Sequence, residues 1–373
     1  AHGIPTWPIC STIVADWRSQ SRIIRAFRSI FIGIPSELYR WVEAFQTLKG
    51  TNVLFVPGTG LLTDAFGLRS WGPYSLFKWL LIAKLRGCKV AVVSVGAGPV
   101  YTRTGRWFVR RALALADYRS YRDPESRDYL HSIFPKAAAD RVYPDLAFSV
   151  RGKERSSPAQ KEHRRPVIGL GLMLYHHRLS GDAETNSTYS AYLEQLIVFV
   201  RWALAHGYDI RLLIGELSDK SVIAEFKALM KVRLPEYCEQ RIVDGMVESA
   251  QDLLAQLPET DVVVATRFHN ILLAMLFNKP VISISFHQKC SSLMKDMGLE
   301  EYCQDIKQLD AERLIRQFIE IEKNMGSLCQ MIGSKVADRR SALDEQYQIL
   351  LRELIGQPTS EDTNHVSTIA ARI

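Results

Sequence analysis

Asp261 to Lys289 reads DVVVATRFHNILLAMLFNKPVISISFHQK, and this stretch decides the fold. The run from Asp261 to Ala265 is short and β-branched, which indicates a strand buried on both faces, and the apolar stretch from Ile271 to Phe277 indicates the helix that follows it. Val281 to Phe286 repeats the strand pattern. A strand, a helix and a second strand in close succession predict a parallel sheet of the α/β class.

Cationic and titratable side chains follow both of these strands. Arg267 and His269 are predicted in the turn after the first strand, and His287 and Lys289 lie just past the end of the second. Ligands bind beyond the carboxyl ends of the strands in an open parallel sheet, so these side chains are expected at a ligand position. They suit an anionic substrate and proton transfer. The alternatives are a hydrogen-bonded structural histidine and a solvated loop lysine.

The composition is that of a globular protein with room for two α/β domains. The chain has 373 residues, of which 47% are hydrophobic and 23% charged. No run of about 18 apolar residues occurs, so no transmembrane helix is predicted. The six cysteines include no CxxC pair and no Cys/His cluster, which predicts neither disulfides nor a metal site. A cytoplasmic location follows, either free or peripheral at the inner face of the membrane.

The net charge of +7 admits nucleic acid, a membrane surface or anionic small molecules as partners. No nucleic-acid motif is present, so nucleic acid is not predicted as a partner. The segment from Arg22 to Ile32 places an arginine at every third position among bulky apolar residues, which is typical of a basic amphipathic helix. Such a helix either lies on an anionic membrane or packs its apolar face on the core.

Strand and helix patterns alternate along the whole chain, which predicts doubly wound parallel sheets in two Rossmann-like domains. Further strands are predicted at 52–57, 89–94, 117–123, 141–148, 167–173, 209–215 and near 241. Further helices are predicted at 74–85, 107–116, 189–205, 221–231 and 249–257. The predicted division is a first domain at 1–150, a linker at 151–165, a second domain at 166–356 and a disordered tail at 357–373, with the active cleft at the domain interface.

Two glycine-rich turns follow strands of the first domain. Gly58, Thr59 and Gly60 form one of them, and Gly96 opens the other. Backbone amides exposed in such turns can hold an anion. Neither turn fits GxGxxG and no GxxxxGK[ST] is present, so neither a dinucleotide site nor a P-loop is supported.

Arg122 ends another predicted strand of the first domain. Asp123 and Pro124 follow it and are well suited to begin a helix, so this strand end is open to two interpretations. Arg122 either binds a ligand or forms a surface ion pair beside a helix cap.

Six short motifs, in this order, resemble the polysaccharide pyruvyl transferase family. They are PGTGLLTD ending at Asp64, GAGP from Gly96, YRDPES around Arg122, PDLAF around Asp145, RFHNILLA from Arg267, and Lys289. The resemblance covers about residues 51 to 303 and implies a GT-B-like arrangement of the two domains. Thr59 stands where the family usually has glycine. The family's opening strand and Asn-Gly-Asp turn have no counterpart before Asn52, so the first domain is expected to lack its first βα portion or to be built differently.

The resemblance implies transfer of the pyruvyl group of phosphoenolpyruvate onto a saccharide as a ketal, in exopolysaccharide or cell-surface glycan biosynthesis. By the family's pattern Arg122, Arg267 and Lys289 grip the donor, and His269 is the acid/base residue. Bidentate arginines suit a carboxylate and a phosphate, and an imidazole suits proton transfer near neutral pH. His176 and His177 could meet the acceptor, which is free, lipid-linked or polymeric. No cofactor or metal is expected. A GT-B glycosyltransferase using a nucleotide sugar and a non-catalytic sugar-binding protein are the alternatives.

Overall fold

A computed structural model of the protein describes residues 29–58, 62–63, 72–151, 165–175, 183–236, 239–245, 247 and 249–355. The described residues divide into two compact units. One contains the residues up to Leu146 together with those from Ala342 onward, and the other runs from Ala147 to Ser341. The predicted tail and nearly all of the predicted linker lie outside the described residues.

The first unit is built on a parallel sheet with the strand order β1-β2-β3-β4. Its strands are β1 (Val53–Pro57), β2 (Lys89–Val95), β3 (Tyr118–Tyr121) and β4 (Arg141–Val142). Its helices are α1 (Ile34–Thr47), α2 (Gly72–Leu85), α3 (Arg103–Leu115) and α4 (Pro124–His131). Each strand pairs with the next one in the chain, so right-handed crossovers place the connecting helices on one face of the sheet.

The second unit contains a six-stranded parallel sheet with the order β10-β9-β8-β5-β6-β7. Its strands are β5 (Val167–Leu172), β6 (Asp209–Ile214), β7 (Ile242–Asp244), β8 (Val262–Ala265), β9 (Val281–Ser285) and β10 (Cys303–Asp305). The helices that begin in this unit are α5 (Ala183–Ala205), α6 (Lys220–Arg233), α7 (Ala250–Gln256), α8 (Phe268–Leu276), α9 (Gln288–Asp296), α10 (Ala311–Lys323) and α11 (Met325–Leu350).

The strand order of the second sheet creates a topological switch point between β5 and β8. From β5 the chain moves outward through β6 and β7, and from β8 it moves outward in the opposite direction through β9 and β10. The connections after β5 and β8 therefore leave toward opposite faces of the sheet, which opens a crevice beyond the carboxyl ends of these two strands. This is the Rossmann strand order. It confirms the predicted doubly wound parallel sheet for the second unit and puts the segment after β8 at the switch point.

The end of α11 belongs to the first unit, although the sequence places residues up to 356 in the second domain. Leu350, the last residue of α11, and Leu354, just beyond it, pack on Ala91 and Val93. These residues lie on the face of the first sheet opposite the connecting helices. The sequence does not show which of the two sheets this helix covers. Residues 342–355 therefore correct the predicted domain boundary.

Several predicted elements have different bounds in the structure, and two of them carry or adjoin predicted site residues. The strand predicted at 141–148 is limited to β4, because Pro144 has no amide hydrogen with which to continue the ladder. The helix predicted from Ile271 starts earlier, at Phe268. Arg267 is thus the residue before the helix and His269 lies in its first turn, rather than in a separate loop. Among the described residues, no helix is both long and apolar enough to cross a membrane.

Gln346 of α11 is fully buried and holds the end of β2. Its amide nitrogen donates to Ser120 Oγ over 2.6 Å, and its Oε1 accepts from Ser94 Oγ over 3.1 Å. Ser94 has a left-handed backbone (φ 48°) at an irregularity in the pairing of β2 with β3. A side chain from α11 therefore secures a strained position at the edge where the first unit's predicted site residues lie.

We expect Gln346→Ala to lower the free energy of unfolding by about 2–3 kcal/mol, because it leaves buried hydroxyl groups unsatisfied and opens a cavity. Urea unfolding followed by circular dichroism measures the change. Gln330→Ala is the control, since Gln330 is exposed on the same helix. Equal effects of the two substitutions would contradict the anchoring role of Gln346.

Candidate active site

Arg267 and Asp219 form a bidentate ion pair at the switch point of the second sheet. Arg267 Nε lies 2.8 Å from Asp219 Oδ2, and Nη2 lies 2.7 Å from Oδ1. The backbone amide of Leu174 also donates to Asp219 Oδ1, over 2.9 Å. Leu174 follows β5, Asp219 follows β6 and Arg267 follows β8. One buried carboxylate therefore ties the ends of three adjacent strands together.

The burial of this pair makes it strongly interdependent. Asp219 is fully buried and only 17% of the Arg267 side chain is exposed. Removing one partner of a buried pair leaves the other charge without compensation and costs about 3–5 kcal/mol. The pair also fixes the plane of the guanidinium, so Arg267 is positioned before any ligand binds.

The remaining edge of Arg267 faces a more accessible carboxylate. Its Nη1 lies 3.2 Å from Glu216 Oε1, and the Glu216 side chain is 50% exposed. An incoming anion can displace the Glu216 carboxylate into solvent at little cost in free energy. Asp219 is fully buried, so displacing its carboxylate from Arg267 would leave a buried charge without compensation. The geometry thus leaves one edge of Arg267 for a ligand, with Glu216 as its competitor.

Asn270 is a buried polar residue beside this pair that sequence reasoning missed. Its amide nitrogen and oxygen make no hydrogen bond to the residues that the structure describes, although the side chain is fully buried. Gly171 and Gly215 make the space for it, because a Cβ on Gly171 would lie 2.8 Å from Asn270 Nδ2 and one on Gly215 3.2 Å from Oδ1. Burying an amide without hydrogen-bond partners lowers the free energy of unfolding by about 1–3 kcal/mol. The available signal was a polar residue that opens an otherwise apolar run.

His269 and Lys289 lie in the first turns of helices that follow neighbouring strands. His269 is exposed, and its ring packs edge-on against Phe268 with 5.7 Å between centroids. Lys289 is half-buried at the start of α9. The structure therefore places Arg267, His269 and Lys289 at the carboxyl edge of one sheet, where helix amino termini also favour negative charge.

His287 acts as the amino-terminal cap of α9. Its Nδ1 accepts a hydrogen bond from the backbone amide of Lys289 over 3.2 Å. An Nδ1 that accepts carries no proton, so the capping form of this ring is the neutral one with hydrogen on Nε2. This geometry favours a structural role for His287 over the alternative of a ligand-binding cation.

Cys290 is buried next to these cations but is not a nucleophile. Burial raises the pKa of its thiol to about 12, with the charges of Lys289 and Arg267 acting in the opposite direction. The thiol stays protonated at neutral pH, and only thiolates attack or bind metals.

Arg122 of the first unit is likewise held by carboxylates. Its Nε lies 3.1 Å from Asp123 Oδ2 and its Nη1 lies 3.4 Å from Asp145 Oδ2. The guanidinium lies directly against Gly96, where a Cβ would come 2.5 Å from Arg122 Nε. Asp123 also caps α4 by accepting from the Ser126 amide. The helix cap and the ion pair predicted for this strand end are therefore both present, and Gly96 makes room for Arg122.

Gly58 directly follows β1 and packs on β2. A Cβ at this position would lie 2.9 Å from the carbonyl oxygen of Ser94, the residue with the left-handed backbone. Close backbone approach therefore explains this glycine. The other residues singled out from the sequence, namely Thr59, Gly60, Asp64, His176 and His177, lie outside the described residues.

The two parallel sheets, with a charged switch point in the second, define an α/β protein of the GT-B-like class. A family model described as Polysaccharide pyruvyl transferase matches residues 16–288, and the chain belongs to this family. The matched range contains Arg122, Arg267 and His269 and ends just before Lys289. A search of curated proteins found no match.

Similar solved structures come from enzymes of nucleotide-sugar metabolism. A putative UDP-N-acetylglucosamine 2-epimerase from Listeria monocytogenes has a TM-score of 0.57 at 12% identity, covering 84% of this chain and 78% of its own. The S. aureus MnaA-UDP co-structure has a TM-score of 0.54 at 14% identity, with 87% and 84% covered. Anabaena Alr3699/HepE in complex with UDP has a TM-score of 0.51 at 13% identity, with 83% and 82% covered. At these identities the similarity shows the fold alone.

Asn270→Leu tests whether the buried amide lacks a partner in the free protein. The leucine is similar in volume and removes both unsatisfied groups, so we expect the free energy of unfolding to stay equal or to rise by about 1–3 kcal/mol. Gln304→Leu is the control, because Gln304 is buried and hydrogen-bonded to Gln317 and Asp310. We expect this variant to be less stable than the wild type. A comparable loss in both variants would mean that Asn270 is already satisfied.

Proposed function

We propose that this protein transfers the pyruvyl group of phosphoenolpyruvate to hydroxyl groups of a saccharide, forming a pyruvate ketal and releasing phosphate. The observation that carries the proposal is the family match, which spans the segments of Arg122 and of Arg267 with His269. The carboxyl edge of the second sheet supports it, because it combines cations, helix amino termini and a titratable side chain. The product would belong to exopolysaccharide or cell-surface glycan biosynthesis.

Arg267 and Lys289 are the proposed donor ligands of the second unit. Asp219 holds the Arg267 guanidinium by Nε and Nη2, which leaves Nη1 for a carboxylate or phosphate oxygen once Glu216 moves away. Lys289, at the start of α9, adds a point charge close to a helix amino terminus. Arg122 stays a predicted contributor to donor binding, and its guanidinium is positioned by Asp145 and by its close contact with Gly96.

His269 is the proposed acid/base residue. Ketal formation adds a proton to the methylene carbon of the donor, and one sugar oxygen then bonds to the resulting oxocarbenium carbon. The C–O bond to phosphate breaks next, and a second sugar oxygen bonds to the same carbon. Both hydroxyls lose their protons. One of these protons replaces the proton that was added to the methylene carbon, and the other is taken up with the phosphate that leaves. An exposed imidazole in the first turn of α8 can reach a substrate at this edge and transfer protons as a general acid or base.

A nucleotide-sugar glycosyltransferase is the second candidate. Two of the similar structures are UDP complexes by their titles, and the switch-point crevice of the second sheet is a place where nucleotides bind in doubly wound folds. Thermal unfolding with phosphoenolpyruvate or UDP separates the two functions, because a ligand raises the midpoint only if it binds the folded protein. We expect phosphoenolpyruvate to raise the midpoint.

Glu216→Gln should tighten phosphoenolpyruvate binding by about two- to fivefold, because it removes a half-exposed carboxylate that competes for Arg267 Nη1. Isothermal titration measures the affinity. Glu236→Gln is the matched control, since Glu236 is an exposed carboxylate elsewhere in the same unit. Unchanged or weaker binding to the Glu216 variant would argue against Arg267 as a donor ligand.

His269→Gln should lower turnover by about 10²- to 10⁴-fold while keeping the thermal shift caused by phosphoenolpyruvate. The assay is release of inorganic phosphate that requires both phosphoenolpyruvate and a saccharide, tested over free and lipid-linked acceptors. His131→Gln is the control, because His131 is an exposed histidine of the first unit. Wild-type protein that binds the donor but releases no phosphate with any acceptor would overturn the proposed reaction.

A further inference from the structure

We propose that the first unit binds an anionic membrane surface through the outer face of α1 and α3. One part of this surface is an apolar stripe of four side chains on α1. They are spaced three or four residues apart, lie along one stripe of the helix and are exposed: Ile34, Leu38, Val42 and Phe45. Leu38 is 63% exposed. The face of α1 that packs on the core is separate and includes Ala44.

The outer face of α3 is basic. Its four arginines are exposed and surround the exposed Trp107: Arg103, Arg106, Arg110 and Arg111. The helix contains no acidic residue, and the Arg111 guanidinium lies 5.5 Å from the centre of the Trp107 ring. Val109 and Ala112 are on the opposite, buried face. An arginine-rich face with a central tryptophan is the composition that suits the interface between lipid headgroups and acyl chains.

The helix α2 connects the apolar stripe and the basic face. Trp41 Nε1 of α1 donates to Tyr74 OH of α2 over 2.9 Å, and the Tyr74 ring lies 5.3 Å from the ring of Phe108 in α3. All three helices belong to the same layer of the first unit. The apolar stripe and the basic face therefore belong to helices that these contacts join through α2.

The chemistry of this layer favours an anionic bilayer over other occupants. An apolar stripe has no function against nucleic acid, and a second copy of α3 placed against the first would bring like charges together. The mode of attachment is peripheral, through apolar insertion at the surface combined with electrostatic attraction.

Such attachment would hold the protein where lipid-carried saccharides are presented. This consequence rests on the proposed function, whereas the membrane contact does not. Vesicle binding and phosphate release are measured separately, so failure of one leaves the other intact.

Flotation of the full chain with vesicles tests the proposal. We expect binding to vesicles of phosphatidylcholine with roughly 30% phosphatidylglycerol, which provides a negatively charged surface. Binding should be lost with vesicles of phosphatidylcholine alone, and also at about 1 M salt, which screens the charges. The paired substitution Arg103→Gln with Arg110→Gln should weaken partitioning about 25-fold, from about fivefold per arginine. Leu38→Ser with Val42→Ser should weaken it at least tenfold.

Matched controls come from the second unit. Arg316→Gln with Lys323→Gln removes the same charge from exposed positions, and Val232→Ser removes an apolar side chain that is 73% exposed. Both controls should bind like the wild type. The proposal is overturned if folded wild-type protein does not float with anionic vesicles, or if the α1 and α3 variants bind unchanged. A change of oligomeric state in the Leu38 and Val42 variant, without vesicle binding by the wild type, would identify a protein interface instead.

Discussion

The ion pair between Asp219 and Arg267 is the interaction on which the second unit's site depends. A fully buried carboxylate needs compensation, and Asp219 obtains it from a bidentate guanidinium and a backbone amide. Asp219 and these two partners come from the connections after three adjacent strands. The arrangement at the switch point is therefore held by one electrostatic requirement rather than by loop packing alone. The first turn of α8, which carries His269, follows directly from Arg267.

Both predicted donor arginines are paired with carboxylates, and this changes how their role is understood. Arg122 contacts Asp123 and Asp145, and Arg267 contacts Asp219 and Glu216. A cation that is already paired contributes less net attraction than a free one, but its donors are fixed in direction before a ligand arrives. Orientation rather than excess charge is thus the main contribution of these side chains. The accessible Glu216 is the partner that a ligand replaces most easily.

Much of the architecture could be predicted because hydrophobic period and turn residues act locally. The buried strand before Arg267, the cap at Asp123 and the strand at Lys89 all follow from patterns within about ten residues. Local patterns failed where a single residue or a distant partner decided the outcome. Pro144 ended a strand whose flanking residues favour extension. The first turn of α8 was missed because its polar residues interrupt the apolar period.

The sequence by itself determined the two α/β units, the parallel sheets and the family, since these depend on local periodicity and on motifs that are contiguous in the chain. The tertiary structure alone decided that β8 lies beside β5, that Asp219 compensates Arg267, and that Gln346 secures Ser94. Each of these joins residues far apart in the chain, and their pairing depends on burial. Asn270 shows the same division, because its amide is unremarkable in the sequence and becomes costly only where Gly171 and Gly215 enclose it.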